Sequence, residues 1–351
     1  MLSKDHILFK GSLSSLPLEI RQEYIRLAQA RYRDRFNLPP PNTGHYNALL
    51  SLPESDSFER LIVIAGSKDS LIGYASSFRN TKYDNTNRAE ISIFVREPFQ
   101  NRGYELLLLS ELLTLLPEKA TILTFSTREG SPVEQFVLTL GCALAFTGRW
   151  SVKILDRSEL ESVKGIAEQR LLQAKSKGFS IIEIENGKFP RNIYDDIISM
   201  YETLWRDMPS EDLDEEPEVL TPERFKERYD ILLKTQQRAI AFLAIHDATG
   251  KPAGITEAYL SSHHPSVAFQ DDTGVLKPYR GNRLGLALKT QLLEYLLEKT
   301  NATYWITQNA KSNEHMWRIN EKLGYQEWVT HKTYQTKRES LLAKLETLEK
   351  K

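Results

Sequence analysis

The sequence predicts an α/β fold built twice, and three observations carry that expectation. From Val275 to Leu288 a strand runs through a turn rich in glycine and basic residues into a helix. Leu284, Leu288, Leu292 and Leu296 fall four apart on that helix, with Leu293 and Leu297 beside them, which gives one apolar stripe at helical spacing. The stretch from Val95 to Leu113 repeats this pattern at a displacement of 180 residues. Val95 answers Val275, Pro98 answers Pro278, Phe99 answers Tyr279 and Gln100 answers Arg280, and Leu106, Leu108, Leu112 and Leu113 answer Leu286, Leu288, Leu292 and Leu293. Other segments keep step: the strand Leu61 to Ile64 with Ile240 to Leu243, Gly73 with Gly254, and Leu140-Gly141 with Leu323-Gly324. A period this long marks a duplicated domain, since solenoid units run to roughly 20 to 50 residues.

In chain order, a short apolar stretch at Ile7-Leu8-Phe9 precedes a helix over Leu18 to Phe36, carried by Ile20, Tyr24, Leu27 and Tyr32. Leu38-Pro39-Pro40-Pro41-Asn42 breaks it. Arg60 to Gly66 and Leu71 to Phe78 read as a hairpin about a Lys-Asp-Ser turn, and Ala89 to Val95 as a further strand. Arg157 to Lys177 is helical by composition and is expected to connect the halves. The second half then opens with a strand at Ser180 to Ile184 and a helix from about Asn192 to Arg206. A connection with six acidic residues between Glu211 and Glu218 follows, then a helix from about Pro222 and strands at Ile255 to Leu260 and Val267 to Val275. Lys337 to Lys351 alternates charge at helical spacing and reads as a tail helix. The expected domains are therefore 1–155, a connecting helix over 156–178, 179–335, and a tail over 336–351.

Composition narrows the function classes. With 351 residues and 40% apolar content the chain can bury a sizeable core. Its 46 basic residues balance 47 acidic ones, so no overall field draws it to nucleic acid or to an anionic membrane. The single Cys142 excludes an intrachain disulfide and a multi-cysteine zinc site, and His263-His264-Pro265 has no third ligand at useful spacing, so no metal is expected. The beginning of the chain lacks the apolar run of a signal peptide and no segment reaches membrane-spanning length. The expectation is a cytoplasmic protein, monomer or homodimer.

The turn before the Leu284 helix is an anion cradle. The first turn of a helix leaves N–H groups without partners, and Gly281, Gly285, Arg280 and Arg283 stand where those donors converge. Arg280-Gly281-Asn282-Arg283-Leu284-Gly285 resembles the Arg/Gln-x-x-Gly-x-Gly/Ala turn of the GNAT (GCN5-related N-acetyltransferase) superfamily, with Arg283 where that family usually has glycine. Downstream, the strand Thr303 to Thr307 and the helix from Asn313 ending in Leu323-Gly324-Tyr325 are similar to the segments that follow in that family.

The resemblance implies two tandem GNAT-like domains, each a mixed, mostly antiparallel sheet flanked by helices. It implies acetyl-coenzyme A or another acyl-coenzyme A as co-substrate, and transfer to a primary amine of a small molecule or peptide. The cofactor would lie in a V-shaped opening between a fourth and a fifth strand, here Ile255 to Leu260 and Val267 to Val275. Val275, Lys277, Arg280, Gly281, Asn282, Arg283, Leu284, Gly285, Asn309 and Asn313 are the expected cofactor contacts. Glu257 is the first candidate base, with Asp271 and Asp272 next. The position of the family's usual acid, a tyrosine, is Asn320, which leaves Tyr325 and Tyr279 in the neighbourhood and keeps open a thiolate that leaves unassisted, or a non-catalytic module that binds acyl-coenzyme A. Glu105 stands where the second half has Gly285, and Gly130 where it has Asn313, so the second half is expected to be the catalytic one. The acidic connection from Glu211 to Glu218 is either a rim for a cationic acceptor or a solvated loop.

Overall fold

The computed structural model describes residues 3–53 and 55–349. In chain order its principal elements are β1 (Ile7–Ser12), α1 (Leu18–Phe36), α2 (Thr43–Leu50), β2 (Phe58–Ser67), β3 (Ser70–Asn80), β4 (Arg88–Val95), α3 (Tyr104–Leu115), β5 (Ile122–Arg128), α4 (Pro132–Thr139) and β6 (Ala143–Ile154). There follow α5 (Leu160–Ser176), β7 (Phe179–Glu185), α6 (Tyr194–Arg206), α7 (Pro222–Lys234), β8 (Gln237–His246), β9 (Lys251–Ser261), β10 (Val267–Val275), α8 (Leu284–Lys299), β11 (Tyr304–Ala310), α9 (Glu314–Lys322), β12 (Gln326–Lys337) and α10 (Arg338–Glu349).

The chain divides into two compact units. Unit 1 comprises 1–148, 210–216 and 329–351, and unit 2 comprises 149–209 and 217–328. In unit 1, β1, β2, β3 and β4 pair antiparallel in succession and β4 then pairs parallel with β5. In unit 2, β7, β8, β9 and β10 do the same and β10 pairs parallel with β11. The repeat visible in the sequence is thus a repeat of sheet topology.

Each sheet has two covered faces. In unit 2, Leu288, Leu292 and Leu296 of α8 pack with Ala253, Ala258, Trp305 and Tyr325 on one face. Ile197, Tyr201 and Leu204 of α6 pack with Phe225 and Tyr229 of α7 and with Leu243 and Ile255 on the other. Each fully buried leucine contributes about 1.5–3 kcal/mol. Unit 1 repeats the arrangement, with α3, α4 and α10 on one face and α1 and α2 on the other.

Gly73 and Gly254 show how closely the copies match. A Cβ on Gly73 would lie 2.4 Å from the Phe94 carbonyl oxygen and 3.0 Å from Val95 Cα; on Gly254 it would lie 2.6 Å from that of Gly274 and 3.0 Å from Val275 Cα. In both units the strand before the helix passes too close to its neighbour for any side chain.

The division differs from the expected one at three places. Helix α5 belongs to unit 2, where Val163 and Ala174 join the core and Gln291 Nε2 donates to the Ala167 carbonyl at 3.0 Å. The end of β12 and helix α10 belong to unit 1: His331 to Lys337 pair antiparallel with β5, and Leu341 and Leu345 are buried in the α3 core. What reads as a solvated tail is a structural helix, because Leu341 and Leu345, four apart, bury one side of it; its final residues, Lys350 and Lys351, lie outside the described residues. The acidic connection is also tied into unit 1. Asp212 N donates to the Ala145 carbonyl, Glu211 accepts from Thr147 N, Asp214 N donates to Gln335, and Glu215 pairs with Arg88 at 2.6 Å. Main-chain N–H groups of Asp212 and Asp214 and the carboxylates of Glu211 and Glu215 thus fix the segment.

Candidate active site

Strands β10 and β11 pair over only three residues, Val267 with Tyr304, Ala268 with Trp305 and Phe269 with Ile306, and then part. Strands β9 and β10 stay paired from Leu260–Ala268 to Gly254–Val275 apart from one irregularity. The V-shaped opening therefore lies between β10 and β11. The expectation that it separates Ile255–Leu260 from Val267–Val275 is corrected, because that pair is a continuous antiparallel ladder.

The irregularity itself builds the site. Between Gln270 and Thr273 the register shifts, so that Asp271 and Asp272 face the single residue Glu257. Such a bulge disrupts the ladder and re-aims side chains. The oxygens of Glu257, Asp271 and Asp272 lie within 4.8 Å of one another, the spacing of a cation site. The cation among them is Arg228 of α7, whose Nη2 is 3.1 Å from Glu257 Oε2 and 3.3 Å from Asp272 Oδ2 and also pairs with Asp271.

Aromatic residues complete the enclosure. Tyr229 Oη donates to Glu257 Oε1 at 2.9 Å, Tyr259 Oη donates to Asp271 Oδ2 at 2.8 Å, and Trp205 Nε1 donates to Asp272 Oδ2 at 3.0 Å. The Arg228 guanidinium stands over the rings of Tyr201, Trp205 and Tyr259 at 5.5, 5.5 and 5.7 Å. Glu257 is wholly buried. Burial pushes its carboxyl up, Arg228 opposes this, and the neighbouring Asp271 and Asp272 add to the rise. Asp272 is raised for the same leading reason, burial, with Asp271 adding to it. Arg228, although burial disfavours its charge, is held well above its ordinary range by the carboxylates around it. A carboxyl placed this way is poised to exchange a proton near neutrality.

The turn before α8 has the expected form. Gly281 has φ 84° with open space where a Cβ would be, and Arg283 is left-handed at φ 61° immediately before Leu284. A residue without a side chain suits that backbone, which accounts for the glycine usual in the pattern. Lys277 Nζ and Arg280 Nη2 both bind Asp207, each at 2.8 Å, and Arg280 Nε donates to the Val275 carbonyl. Asn282 Nδ2 donates to the Tyr279 carbonyl. Arg170 of α5 was not singled out by the sequence. Burial lowers its pKa, nearby Arg283 lowers it further, and its Nε is buried without a partner. Two guanidiniums that repel one another beside open N–H groups fit a diphosphate.

Residues 197–325 match the family described as "Acetyltransferase (GNAT) family". Unit 2 is a GNAT domain. Both units share its topology, and whole-chain likeness agrees. A tandem GNAT protein from the clavulanic acid biosynthesis pathway superposes with a TM-score of 0.72 at 17% identity, covering 93% of this chain and 97% of that one. A GCN5-related N-acetyltransferase from Sphaerobacter thermophilus gives 0.60 at 13% identity, covering 96% and 97%. N-myristoyltransferase from Saccharomyces cerevisiae, solved with bound myristoyl-CoA, gives 0.54 at 13% identity, covering 95% and 80%. At such identities the likeness shows the fold. No curated protein matches the sequence.

Within the GNAT domain the remaining named residues separate. Asn313 caps α9, its side chain accepting from Met316 N at 3.1 Å. Tyr325 is buried on the α8 face, 5.0 Å from the Trp305 ring, whereas Glu257 is held by residues of α6 and α7 on the opposite face. The sheet does not bring those two together. Asn320 is fully buried; its Oδ1 accepts from Lys289 Nζ at 2.8 Å and its Nδ2 donates to Asn309 Oδ1 at 2.9 Å. Lys289, buried against Trp305 and Tyr325, has its pKa pushed down to about 7 by desolvation. Nothing local in the sequence distinguishes it from a surface lysine except its place in the apolar stripe, one residue after Leu288.

In unit 1 the corresponding turn is closed from within. Glu105 is buried and its Oε1 accepts from Asn101 N at 3.3 Å, so a carboxylate of the chain occupies the donor side of the turn.

Proposed function

We propose that unit 2 transfers an acyl group, most simply acetyl, from acyl-coenzyme A to a primary amine of a small molecule or peptide. The GNAT fold supports acyl-coenzyme A-dependent transfer in general, and the observation that carries the finer reading is Glu257, buried beside the bulge near the point where β10 and β11 part.

In this reading the N–H groups opening α8, with Arg280, Arg283 and Arg170, hold the diphosphate of coenzyme A. Lys277, Gly281, Asn282, Leu284 and Gly285 shape that turn, Val275 leads the pantetheine arm along β10, and Asn309 and Asn313 border its other side from β11 and α9. Binding exchanges the Asp207 contacts of Arg280 and Lys277 for phosphate oxygens. The amine then attacks the thioester carbonyl. A C–N bond forms, the C–S bond breaks, and the amine's proton passes to Glu257, with Asp272 as the second carboxylate of the relay. The coenzyme A thiolate leaves unassisted, since Tyr325 is committed to the core and Asn320 has no acidic proton. A cationic acceptor suits the site because the carboxylates already hold a guanidinium there, and acceptor binding displaces or extends the Arg228 contacts.

The test is release of free thiol from acetyl-coenzyme A in the presence of polyamines, amino sugars, amino acids and peptides. Thiol release with a cationic amine is the expected result. Tight coenzyme A binding with no release from any acceptor would reject catalysis in favour of a binding module.

A further inference from the structure

We propose that the cleft where β4 and β5 part in unit 1 is a binding site for the carboxylate group of a small molecule. The two strands pair in parallel from Arg88–Ile122 to Ile91–Phe125, and the first residues beyond the last pair are Ser92 and Ser126. Two arginines one turn apart on α1 reach these serines: Arg31 Nη2 donates to Ser92 Oγ at 2.8 Å and Arg35 Nη2 to Ser126 Oγ at 3.4 Å. Arg128, two residues further along β5, lines the same cleft with Ile93, Phe125 and Thr127.

The charge there is not balanced. Asp34, 3.6 Å from Arg128 Nη2, lines the cleft with the three guanidiniums; Glu90, the acid that acts on Arg35, is exposed and pairs with Arg88 at 3.6 Å. The Nε atoms of both Arg35 and Arg128 are buried and have no hydrogen-bond partner. Arg31 also bonds Tyr74, and the Arg35 guanidinium stands 5.3 Å over the Phe36 ring, contacts that hold the arginines in place and leave their charge uncompensated. His331 stands in the same field. Burial and the surrounding Arg35, Arg31 and Arg128 press its pKa down to about 4, against the opposing bond to the Arg35 carbonyl. Leaving two buried N–H donors and a net positive charge without partners is costly unless an anion completes the site.

The shape of the cleft points to the class of anion. It is a narrow cavity of about 30 Å³ with an open mouth, room for a small anionic head group with the rest of the ligand extending outward. Two oxygens in one plane describe a carboxylate, whose geometry a guanidinium matches bidentately, whereas a phosphate brings four oxygens in a tetrahedron. Apolar Ile91, Ile93, Phe94 and Val133 around the charge indicate a ligand with a short hydrocarbon portion.

Calorimetric titration of the full chain with acetate and with succinate, against inorganic phosphate at matched ionic strength, tests the assignment. The expected result is saturable binding of a carboxylate, tighter than phosphate, and unchanged in Lys68→Gln. Both Arg35→Gln and Arg128→Gln should weaken it by about tenfold or more, the effect of removing one bidentate guanidinium–carboxylate pair. Tighter phosphate binding overturns the ligand class; no saturable binding of either carboxylate, or wild-type affinity in both arginine variants, overturns the site. Thermal unfolding of the ligand-free protein gives a second arm. An uncompensated buried cation destabilises, so Arg35→Met raises Tm by about 3 °C. A fall in Tm for Arg35→Met and Arg35→Gln alike would show a structural arginine and sink the proposal.

Discussion

The two units carry opposite charge at the same place in the same fold. Where β10 leaves β11, the side chains on the α6–α7 face are Glu257, Asp271 and Asp272, ringed by Tyr201, Tyr229, Tyr259 and Trp205. Where β4 leaves β5, the corresponding face presents Arg31, Arg35 and Arg128. On the other face the contrast is one of polarity. Lys289 and Asn320 are buried and bonded to each other in unit 2, and the positions 180 and 183 residues earlier are the buried Leu109 and Val137. Strand order, parallel junction and the close approach at Gly73 and Gly254 survive duplication, because they are set by backbone geometry and apolar burial. Chemistry does not, because it resides in a few side chains that the scaffold tolerates in either form.

The largest effect comes from the carboxylate. Glu257→Gln is expected to lower the acyl-transfer kcat by about 10²–10⁴-fold with little change in coenzyme A affinity. In the wild type, activity should rise with pH through the neutral range, since burial keeps Glu257 protonated beyond the usual carboxylate range and the base must be ionised to accept a proton. The Gln variant should lose that limb. Full activity in Glu257→Gln would move the role elsewhere, Asp272 first.

The second test writes the first unit's turn into the second. Gly285→Glu places beside the diphosphate the carboxylate that Glu105 carries in unit 1, and coenzyme A affinity should fall by about 30-fold, or ~2 kcal/mol. Glu105→Gly should leave that affinity and the activity unchanged. The reverse pattern in equilibrium binding would assign the cofactor to unit 1.

These contrasts also show what the amino-acid sequence discloses. The duplication, the strands flanking each turn and the helix over Leu284–Lys299 follow from hydrophobic period and glycine placement, which act over a few residues. Gly324 ends α9 at φ 83°, as the Leu-Gly-Tyr ending implies. Glu257 and Asp272 are legible as acids on adjacent strands. That Asp271 and Asp272 both face Glu257 depends on a bulge, and bulges leave no periodic trace. Arg228 lies on a helix 29 residues from Glu257 in sequence and joins it only through packing. Arg170, Lys289 and the three arginines of unit 1 were missed for the same reason: a charged residue on a helix reads as solvated until the opposing surface is known. The last strand escapes because its partner, β5, lies some two hundred positions earlier, at separations such as that between Tyr334 and Phe125.

Third in size is a stability effect on the α8 face. In the folded chain burial lowers the Lys289 pKa to about 7, while the unfolded chain keeps the ordinary lysine value of about 10.4. Between these limits the unfolded state holds more protons, so stability rises with pH there by up to about 1.4 kcal/mol per pH unit, and the full penalty applies below the folded value. Lys289→Leu with Asn320→Val reproduces Leu109 and Val137 and removes the Asn320 amide oxygen together with the lysine that bonds it. The double variant should therefore gain most over wild type near pH 6 and least near pH 10, as read by chemical denaturation across that range. A gain independent of pH would show that Lys289 keeps an ordinary lysine pKa and stays charged in the folded core across that range.

The smallest effect isolates one hydrogen bond. Tyr229 donates to Glu257 Oε1 at 2.9 Å, a contact that favours the ionised carboxylate and works against its burial. Tyr229→Phe keeps the ring against Phe225 and removes the donor, so the Glu257 pKa should rise further. The acidic limb of the pH–rate profile then moves to higher pH by about half a unit, and the rate at pH 7 drops by about twofold while the plateau at high pH is retained. A uniform loss at every pH would mean that the tyrosine positions the acceptor; an unchanged profile would mean that Glu257 does not set the limb at all.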